Sequence, residues 1–196
     1  GSYKDIVTSN MYLFPSSLDL TAYRSIFETR RIGSSFLISL FVTIVGTGLG
    51  MIVSVAMAYS LSKSHVPGMK LAFGVVLLTM FFSGGMIPYY LTIKSLGLID
   101  KVAVMILPTC VSVFNVIVLK NNFAQVPPSL EESARIDGAN DMTILFRIVL
   151  PTCKPILATI VLFYAVDRWN EWWHAMLFIT TPAKQPLQIV LREVLF

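Results

Sequence analysis

Residues 32–61 read IGSSFLISLFVTIVGTGLGMIVSVAMAYSL, a run without a single charged side chain. About 20 apolar residues in a helix cover the hydrocarbon core of a bilayer, which is about 30 Å thick. The run exceeds that length, so it predicts a membrane-spanning helix that tilts or protrudes. Backbone hydrogen bonds can be satisfied in lipid only by helices or by closed barrels. An uninterrupted run of this length indicates helices, and we expect an all-α transmembrane bundle.

The composition of the whole chain agrees with a protein embedded in a lipid membrane. Of its 196 residues, 55% are apolar and 13% are charged, whereas soluble domains carry about 25% charged residues. The net charge is +4, and the basic residues are scattered singly. A nucleic-acid surface needs basic residues gathered on one face. We therefore expect a lipid environment and no nucleic-acid partner.

Four apolar segments follow an amphipathic stretch at residues 1–31, which we expect to lie at the membrane interface. The transmembrane domain is then residues 32–196, with spans expected at residues 32–61, 69–93, 102–120 and 153–178. Pro108 predicts a kink in the third span. The Lys and Arg counts of alternate loops do not follow the positive-inside rule, so charge alone leaves the orientation open.

Glycines in the first two spans have different predicted roles. Gly46 and Gly50 form a small-xxx-small pair, which lets a neighbouring helix approach closely. A phosphate-binding loop would instead follow a strand and open a polar helix.

The second span ends in FSGGMIP at residues 82–88. Irregular backbone at that depth must face protein or a water-filled cavity.

The polar stretch between the third and fourth spans reads PPSLEESARIDGAND at residues 127–141. Ser129 followed by Glu132 has the form of a capping box. Glu131 and Arg135 have the i, i+4 spacing of a helical ion pair. Gly138 suits the left-handed position after a helix end. We therefore predict a helix of two turns that ends at a glycine hinge.

A second short helix is predicted directly after this hinge. Asn140 or Asp141 can cap it, and Leu150-Pro151 is expected to close it. Its apolar residues repeat at i, i+3, i+4 and i+7, namely Met142, Leu145, Phe146 and Val149. The two helices form an elbow at residues 129–151, polar on one side and apolar on the other. From the residues alone, the elbow is either a docking element or an ordinary amphipathic loop.

The elbow resembles the EAA signature of ABC importer permeases, which is E-A-A, three residues, G, nine residues and I-x-L-P. The matching positions are Glu132, Ser133, Ala134, Gly138, Ile148, Leu150 and Pro151, with Ser133 the one departure. The sequence DGA at 137–139 is similar to that of the carbohydrate-uptake branch, which includes MalG-like permeases. Residues 82–88, WNEW at 169–172 and PLQ at 186–188 resemble the subgroup for complex or acidic oligosaccharides.

The resemblance implies the MetI-like fold of type I ABC importers. Permeases of this family normally have six spans, whereas this chain shows about four to five. We therefore expect a first and a last helix to be missing. The chain begins Gly-Ser without a methionine, and no cleavable signal pattern follows. A truncated start is the expectation from this feature.

The family's elbow is its coupling helix, which docks outside the membrane on an ATP-binding subunit. By resemblance, the coupling residues are Glu132, Ser133, Ala134, Asp137, Gly138, Ala139, Ile148, Leu150 and Pro151. The implied partners are two ATP-binding subunits, a second permease subunit and an extracytoplasmic solute-binding protein that delivers a sugar or oligosaccharide. The implied location is the bacterial inner membrane. For this chain itself we expect no catalytic residue, no cofactor and no metal.

Polar and aromatic residues in the last two spans are candidates for the substrate pathway. They are Asn115, Tyr164, Trp169, Asn170 and Trp172. Aromatic faces can stack on sugar rings, although an interfacial aromatic belt explains the same tryptophans. Asn115 can line the pathway or bond a neighbouring helix. His174 follows Glu171 by three residues, but no third ligand at metal-site spacing accompanies the pair.

Two other functional classes remain as alternatives. A membrane-embedded enzyme would need a nucleophile with its base, or a metal cluster, and neither pattern is visible. A secondary transporter or channel without ATP coupling would normally carry ionisable residues at mid-membrane. The uncharged spans argue against ion coupling, and the elbow favours an ATP-coupled permease.

Overall fold

A computed structural model describes residues 30–63 and 66–195. The interfacial segment expected at residues 1–31 lies almost wholly outside this part of the chain. The described residues form helices and turns and no strand, which confirms the all-α class. The α-helices are α1 Arg30–Ser62, α2 Met69–Phe81, α3 Met86–Ser95, α4 Val113–Phe123, α5 Pro128–Ile136, α6 Asp141–Ile144, α7 Leu150–Thr152, α8 Lys154–Trp169, α9 Trp173–Phe178 and α10 Leu187–Leu195. Short 3-10 turns occupy Val102–Met105 and Pro182–Lys184, and a π turn occupies Leu145–Val149.

Helix α1 contains the run on which the fold class was predicted. Its 33 residues extend about 50 Å at 1.5 Å per residue. Of the described helices, it alone is long and apolar enough to cross a membrane as a single unit. Two bent helix pairs also qualify when each pair is counted as one span.

The first of these pairs occupies the predicted span at residues 69–93, which is not one straight helix. Helix α2 ends at Phe81, and α3 begins at Met86 with a bend of 115° between them. Pro88 has no N–H to offer the carbonyl of Gly84, so a continuous helix would lack that bond. Gly85 takes a left-handed φ of 81°, which turns the chain.

The predicted span at residues 102–120 is also interrupted. Val102–Met105 forms a 3-10 turn, and α4 begins only at Val113. Pro108 lies in the nonhelical part, where its ring and missing N–H disfavour a helix. The Ser112 side chain accepts from Asn115 N at 3.4 Å and caps α4. The expected kink is therefore a full break.

The second elbow helix ends at Thr152, directly after Pro151, as the sequence predicts. The chain stays helical from Asp141 through the π turn and α7, with a bend of 87° between Asp141–Thr152 and Lys154–Phe178. The π turn at Leu145–Val149 rearranges the hydrogen bonds of the turns before this end. The predicted fourth span, residues 153–178, contains α8 and α9 with a break at residues 170–172.

Two buried clusters hold the bundle together. One surrounds the Ser62 end of α1 and joins α4, the π turn and α8 through residues such as Ala58, Leu119, Val149 and Ile160. The other surrounds the opposite half and includes Val42, Met105, Ala175 and Phe178. Because the segment 129–151 packs on the first cluster, we call that side of the molecule the elbow end.

Candidate functional site

Helix α5 forms the first arm of the elbow. It begins at Pro128 with Pro127 in the N-cap position, and no side chain caps its free N–H groups. The predicted capping box of Ser129 and Glu132 is therefore wrong. Pro128 at the first helical position explains the shifted start, since its ring presets the helical φ and it has no N–H to satisfy.

The glycine hinge forms as predicted. Gly138 has a φ of 83°, and its N–H donates to Arg135 O at 3.0 Å. The N–H of Ala139 donates to Ala134 O at 2.9 Å. These two bonds form a Schellman motif, which satisfies carbonyls at the helix end. Asn140 then caps α6, because its Oδ1 accepts from Thr143 N at 2.8 Å.

The ion pairs of α5 differ from the i, i+4 pair expected between Glu131 and Arg135. Glu131 bonds the ammonium of Lys63, which follows α1, and both side chains are 15% exposed. Arg135 instead pairs with Asp141 at 2.6 Å across the hinge. Lys63 also lies 4.4 Å from the centre of the Tyr59 ring. Glu131 therefore ties the elbow to α1.

The predicted coupling residues divide into two groups according to burial. Glu132, Ser133, Asp137, Gly138 and Pro151 are exposed. The apolar members pack against the cluster at the elbow end, and these are Ala134, Ala139, Ile148 and Leu150. The structure thus gives the elbow an inner face that fixes it to the bundle and an outer face that is free for contact.

The outer face of the elbow also carries apolar side chains. Ile136 is 87% exposed, Met142 is 66% exposed and Phe146 is 64% exposed. The predicted apolar repeat is therefore split, because Leu145 and Val149 are buried. A cleft of about 520 Å³ lies beside α5, lined by residues including Lys63, Glu131, Glu132 and Arg135.

Two of the pathway candidates are parts of the buried helix packing. Tyr164 is 1% exposed, its hydroxyl lies 2.6 Å from Ser54 Oγ, and it accepts from Ser112 N at 2.9 Å. Asn115 is buried in the first turn of α4. Tyr164 thus serves helix packing in this structure, and neither residue lines the cleft beside α5 or a cleft beside α3.

The other three candidates lie at or after the Trp169 end of α8, and their side chains do not surround a common site. Trp169 meets Phe36 edge to face with ring centroids 6.1 Å apart. Asn170 follows the helix, and its side chain donates to Val166 O at 2.8 Å. Trp172 is 44% exposed and lies beneath the guanidinium of Arg192, 5.8 Å from its ring centre.

A different polar group near the broken second span escaped the sequence prediction. His174 is 7% exposed, and its Nδ1 lies 2.9 Å from Glu171 Oε1. Its Nε2 lies 2.8 Å from the Tyr89 hydroxyl. The spacing of Glu171 and His174 was the available signal, but Tyr89 is distant in sequence. In residues 30–63 and 66–195 no three metal-ligating side chains cluster.

The burial of Arg168 is a second feature that the sequence did not reveal. A charged side chain near the end of a span normally extends into water. It is 4% exposed, donates to Met105 O at 3.2 Å, and bonds Thr109 Oγ1. Its Nη2 lies 2.9 Å from Asp167 Oδ2. The arginine therefore joins α8 to the interrupted segment before α4.

No family model matches the chain. It is 48% identical over 194 residues to the polygalacturonan/rhamnogalacturonan transport system permease protein YtcP of Bacillus subtilis, covering 99% of this chain and 68% of that protein. It is 46% identical to protein LplC of the same organism, covering 97% of this chain and 64% of that protein.

One solved structure has the same fold over nearly the whole chain. It is a bacterial ABC transporter involved in the import of the acidic polysaccharide alginate. The TM-score is 0.91 at 34% sequence identity, with 97% of this chain and 68% of that chain covered. The present chain thus spans about two thirds of the length of the proteins that it matches.

Proposed function

The chain belongs to the permease family of ABC importers, and from that premise we propose that it forms half of a transmembrane pathway for a sugar or oligosaccharide. Permeases of this family are integral membrane proteins. The proposed partners are a second permease subunit, two ATP-binding subunits and an extracytoplasmic solute-binding protein. The proposed location is the bacterial inner membrane, with the elbow end in the cytoplasm. ATP hydrolysis is assigned to the partner subunits.

The proposed substrate class is a complex or acidic oligosaccharide. A relative at 48% identity is named for polygalacturonan and rhamnogalacturonan transport. The structure with the matching fold belongs to an importer of alginate, an acidic polysaccharide. We therefore expect transport of oligosaccharides derived from polysaccharides.

The observation that carries the proposed coupling role is the outer face of the elbow. Ile136 is 87% exposed immediately before the glycine hinge, among exposed polar residues such as Glu132 and Asp137. Elbow residues outside the membrane have no lipid to cover them, so an apolar side chain there favours a protein partner. An ATP-binding subunit is the partner that the family implies.

The elbow is also connected to the bundle in a way that supports force transmission. Glu131 bonds Lys63 at the end of α1, so a displacement of α5 pulls on the longest helix. On the other side of the hinge, the chain continues through the π turn into α8. Movement of the docked elbow would therefore reach α1 and α8 together.

The test uses the full-length complex reconstituted in proteoliposomes with binding protein and candidate oligosaccharides. We expect Ile136→Ser to weaken retention of the ATP-binding subunits and stimulated ATP hydrolysis by roughly tenfold, since burying one isoleucine is worth about 1.5–3 kcal/mol. Leu96→Ser is the matched control, because Leu96 is 64% exposed at the end of α3.

The control variant should retain its ATP-binding subunits as the unsubstituted complex does. Equal retention and equal stimulation in the Ile136→Ser complex would contradict docking through this face of the elbow.

A further inference from the structure

A cavity of about 650 Å³ lies beside the break between α2 and α3. Small-molecule sites commonly have volumes of about 300–1,000 Å³. Its lining includes the nonhelical residues Ser83, Gly84 and Gly85, together with Tyr89, Thr109 and His174. Backbone groups outside a helix need water or polar partners within a membrane protein. Water in this cavity would satisfy that requirement.

Two lining residues, Tyr89 and His174, belong to a hydrogen-bonded row of three side chains that Glu171 completes. The Glu171 carboxylate accepts from the backbone N–H of His174 at 3.0 Å and lies 2.9 Å from its Nδ1. A carboxylate accepts but does not donate, so the proton is on Nδ1. In the neutral imidazole, Nε2 then accepts from the Tyr89 hydroxyl at 2.8 Å. The phenol oxygen of Tyr89 keeps its lone pairs for a ligand.

Hydroxyl groups and an aromatic face complete the lining. Trp173 is 36% exposed at the cavity, with its ring centre 6.1 Å from that of Tyr89. Thr109 accepts from Arg168, so its own hydroxyl proton is free to donate inward. Tryptophan and tyrosine combine an apolar face with a polar group. This combination matches a pyranose ring, which has C–H faces and hydroxyl edges.

The level of the cavity along α1 follows from its contacts. Thr109 bonds Arg168, and a Cβ on Gly46 would lie 2.8 Å from Arg168 Cδ. Gly46 is midway along α1 (Arg30–Ser62), roughly 24 Å from the elbow end at 1.5 Å per residue. A ligand at the cavity would therefore be within the span of α1.

We propose that Tyr89, Trp173 and His174 form a contact site for one pyranose ring of the transported saccharide, with Glu171 as a positioning residue. The Tyr89 oxygen and the Thr109 hydroxyl bond sugar hydroxyls, and Trp173 covers a ring face. Glu171 fixes the tautomer and orientation of His174, which in turn orients the Tyr89 hydroxyl. This inference rests on the proposed import function and places a saccharide contact in this chain, not only in its partners.

The experiment compares Tyr89→Phe with Tyr90→Phe in the full-length complex reconstituted in proteoliposomes. Tyr90 is the matched control because it is exposed, packs on Phe178 and is absent from the cavity lining. Labelled oligogalacturonide is the probe, presented with saturating binding protein. Saccharide uptake and ATP hydrolysis are measured in the same vesicles, and their ratio gives saccharide moved per ATP.

We expect Tyr89→Phe to lower the uptake-to-hydrolysis ratio about three- to tenfold, the effect of losing one hydrogen bond, while Tyr90→Phe leaves it unchanged. A saccharide that is held less firmly returns to the binding protein while hydrolysis continues. His174→Gln should lower the ratio as well, because the amide cannot reproduce the three-residue row.

An unchanged ratio in both Tyr89→Phe and His174→Gln, with normal assembly and uptake by the unsubstituted complex, would overturn the saccharide site alone. Equal losses of uptake and hydrolysis would indicate a structural role and would also overturn it. If the unsubstituted complex imports neither oligogalacturonide nor another saccharide, the proposed function fails, and this inference fails with it.

Discussion

Gly50 lies where α1 meets two other segments of the bundle. A Cβ at this position would lie 2.9 Å from the carbonyl oxygen of Cys110 and 3.0 Å from Tyr164 Cε1. The first of these is a backbone atom, which cannot move without shifting its segment. At Gly48, two residues away, a Cβ would meet nothing within 4 Å. The close approach predicted for Gly46 and Gly50 is confirmed, and Gly48 has no part in it.

We expect Gly50→Ala to destabilise the assembled complex by about 1–3 kcal/mol, the usual effect of adding atoms to a packed site. Gly48→Ala is the control, and it should be neutral or stabilise by up to about 1 kcal/mol through helix propensity. Thermal unfolding in detergent, followed by size-exclusion chromatography, measures both. Equal unfolding temperatures for the two variants would contradict the close contact.

At the scale of elements, two ion pairs hold α5, and they differ in exposure. The Lys63–Glu131 pair joins α5 to α1, and each side chain is 15% exposed. The Arg135–Asp141 pair crosses the hinge, with side chains 49% and 65% exposed. Solvent screens exposed pairs strongly, so their net contribution is small. The pair with Lys63 is therefore the one that fixes the elbow.

Double-mutant cycles should distinguish the two pairs. For Lys63→Met with Glu131→Gln we expect a coupling energy of about 1–2 kcal/mol, because both groups are largely removed from water. The cycle for Arg135→Met with Asp141→Asn should give less than about 0.5 kcal/mol. Equilibrium unfolding in mixed micelles provides the free energies. A larger coupling energy for the hinge pair would reverse this assignment.

At the scale of the whole molecule, Asp100 connects two loops far apart in sequence. Its carboxylate accepts from Thr181 Oγ1 at 2.7 Å, from Thr181 N at 2.9 Å and from Lys184 Nζ at 2.8 Å. The hydrogen bonds from Lys184 and Thr181 hold the pKa of Asp100 well below its usual range. Asp100 itself has a φ of 57°, a left-handed conformation that Asp and Asn tolerate.

The hydrogen bonds of Asp100 with Thr181 and Lys184 predict how the stability of the protein depends on pH. The pKa of Asp100 is lower in the folded state than in the unfolded state. The Asp100 carboxylate therefore stabilises the fold above the unfolded-state pKa of about 3.9, and this stabilisation is lost as the pH falls further. The difference in unfolding temperature between the native chain and Asp100→Asn should be the same at about pH 7 and about pH 5, and smaller at about pH 3. Asn preserves the backbone conformation but not the charge. If the difference in unfolding temperature instead grew on acidification, this role of the Asp100 carboxylate would be refuted.

How far the sequence predicted the structure depends on the range of the interaction. The hinge at Gly138 and the cap at Asn140 were predicted, because both depend on the conformation of a few neighbouring residues. The irregular backbone expected at residues 82–88 is confirmed by the break at residues 82–85, whereas the kink expected at Pro108 is a full break. The prediction that Leu150-Pro151 closes its helix is confirmed, because the helix ends at Thr152 and the chain bends by 87° there.

The sequence by itself determined that this protein is an all-α membrane protein with a hinged elbow, because hydropathy, hinge glycines and caps act within one segment of chain. Only the tertiary structure decided the partner of Glu131, the buried contacts of Tyr164 and Arg168, and the meeting of Tyr89 with His174. These pairs join segments that are distant in sequence, so their contacts depend on how the segments pack. That packing is set by all the segments together, and no local pattern contains it.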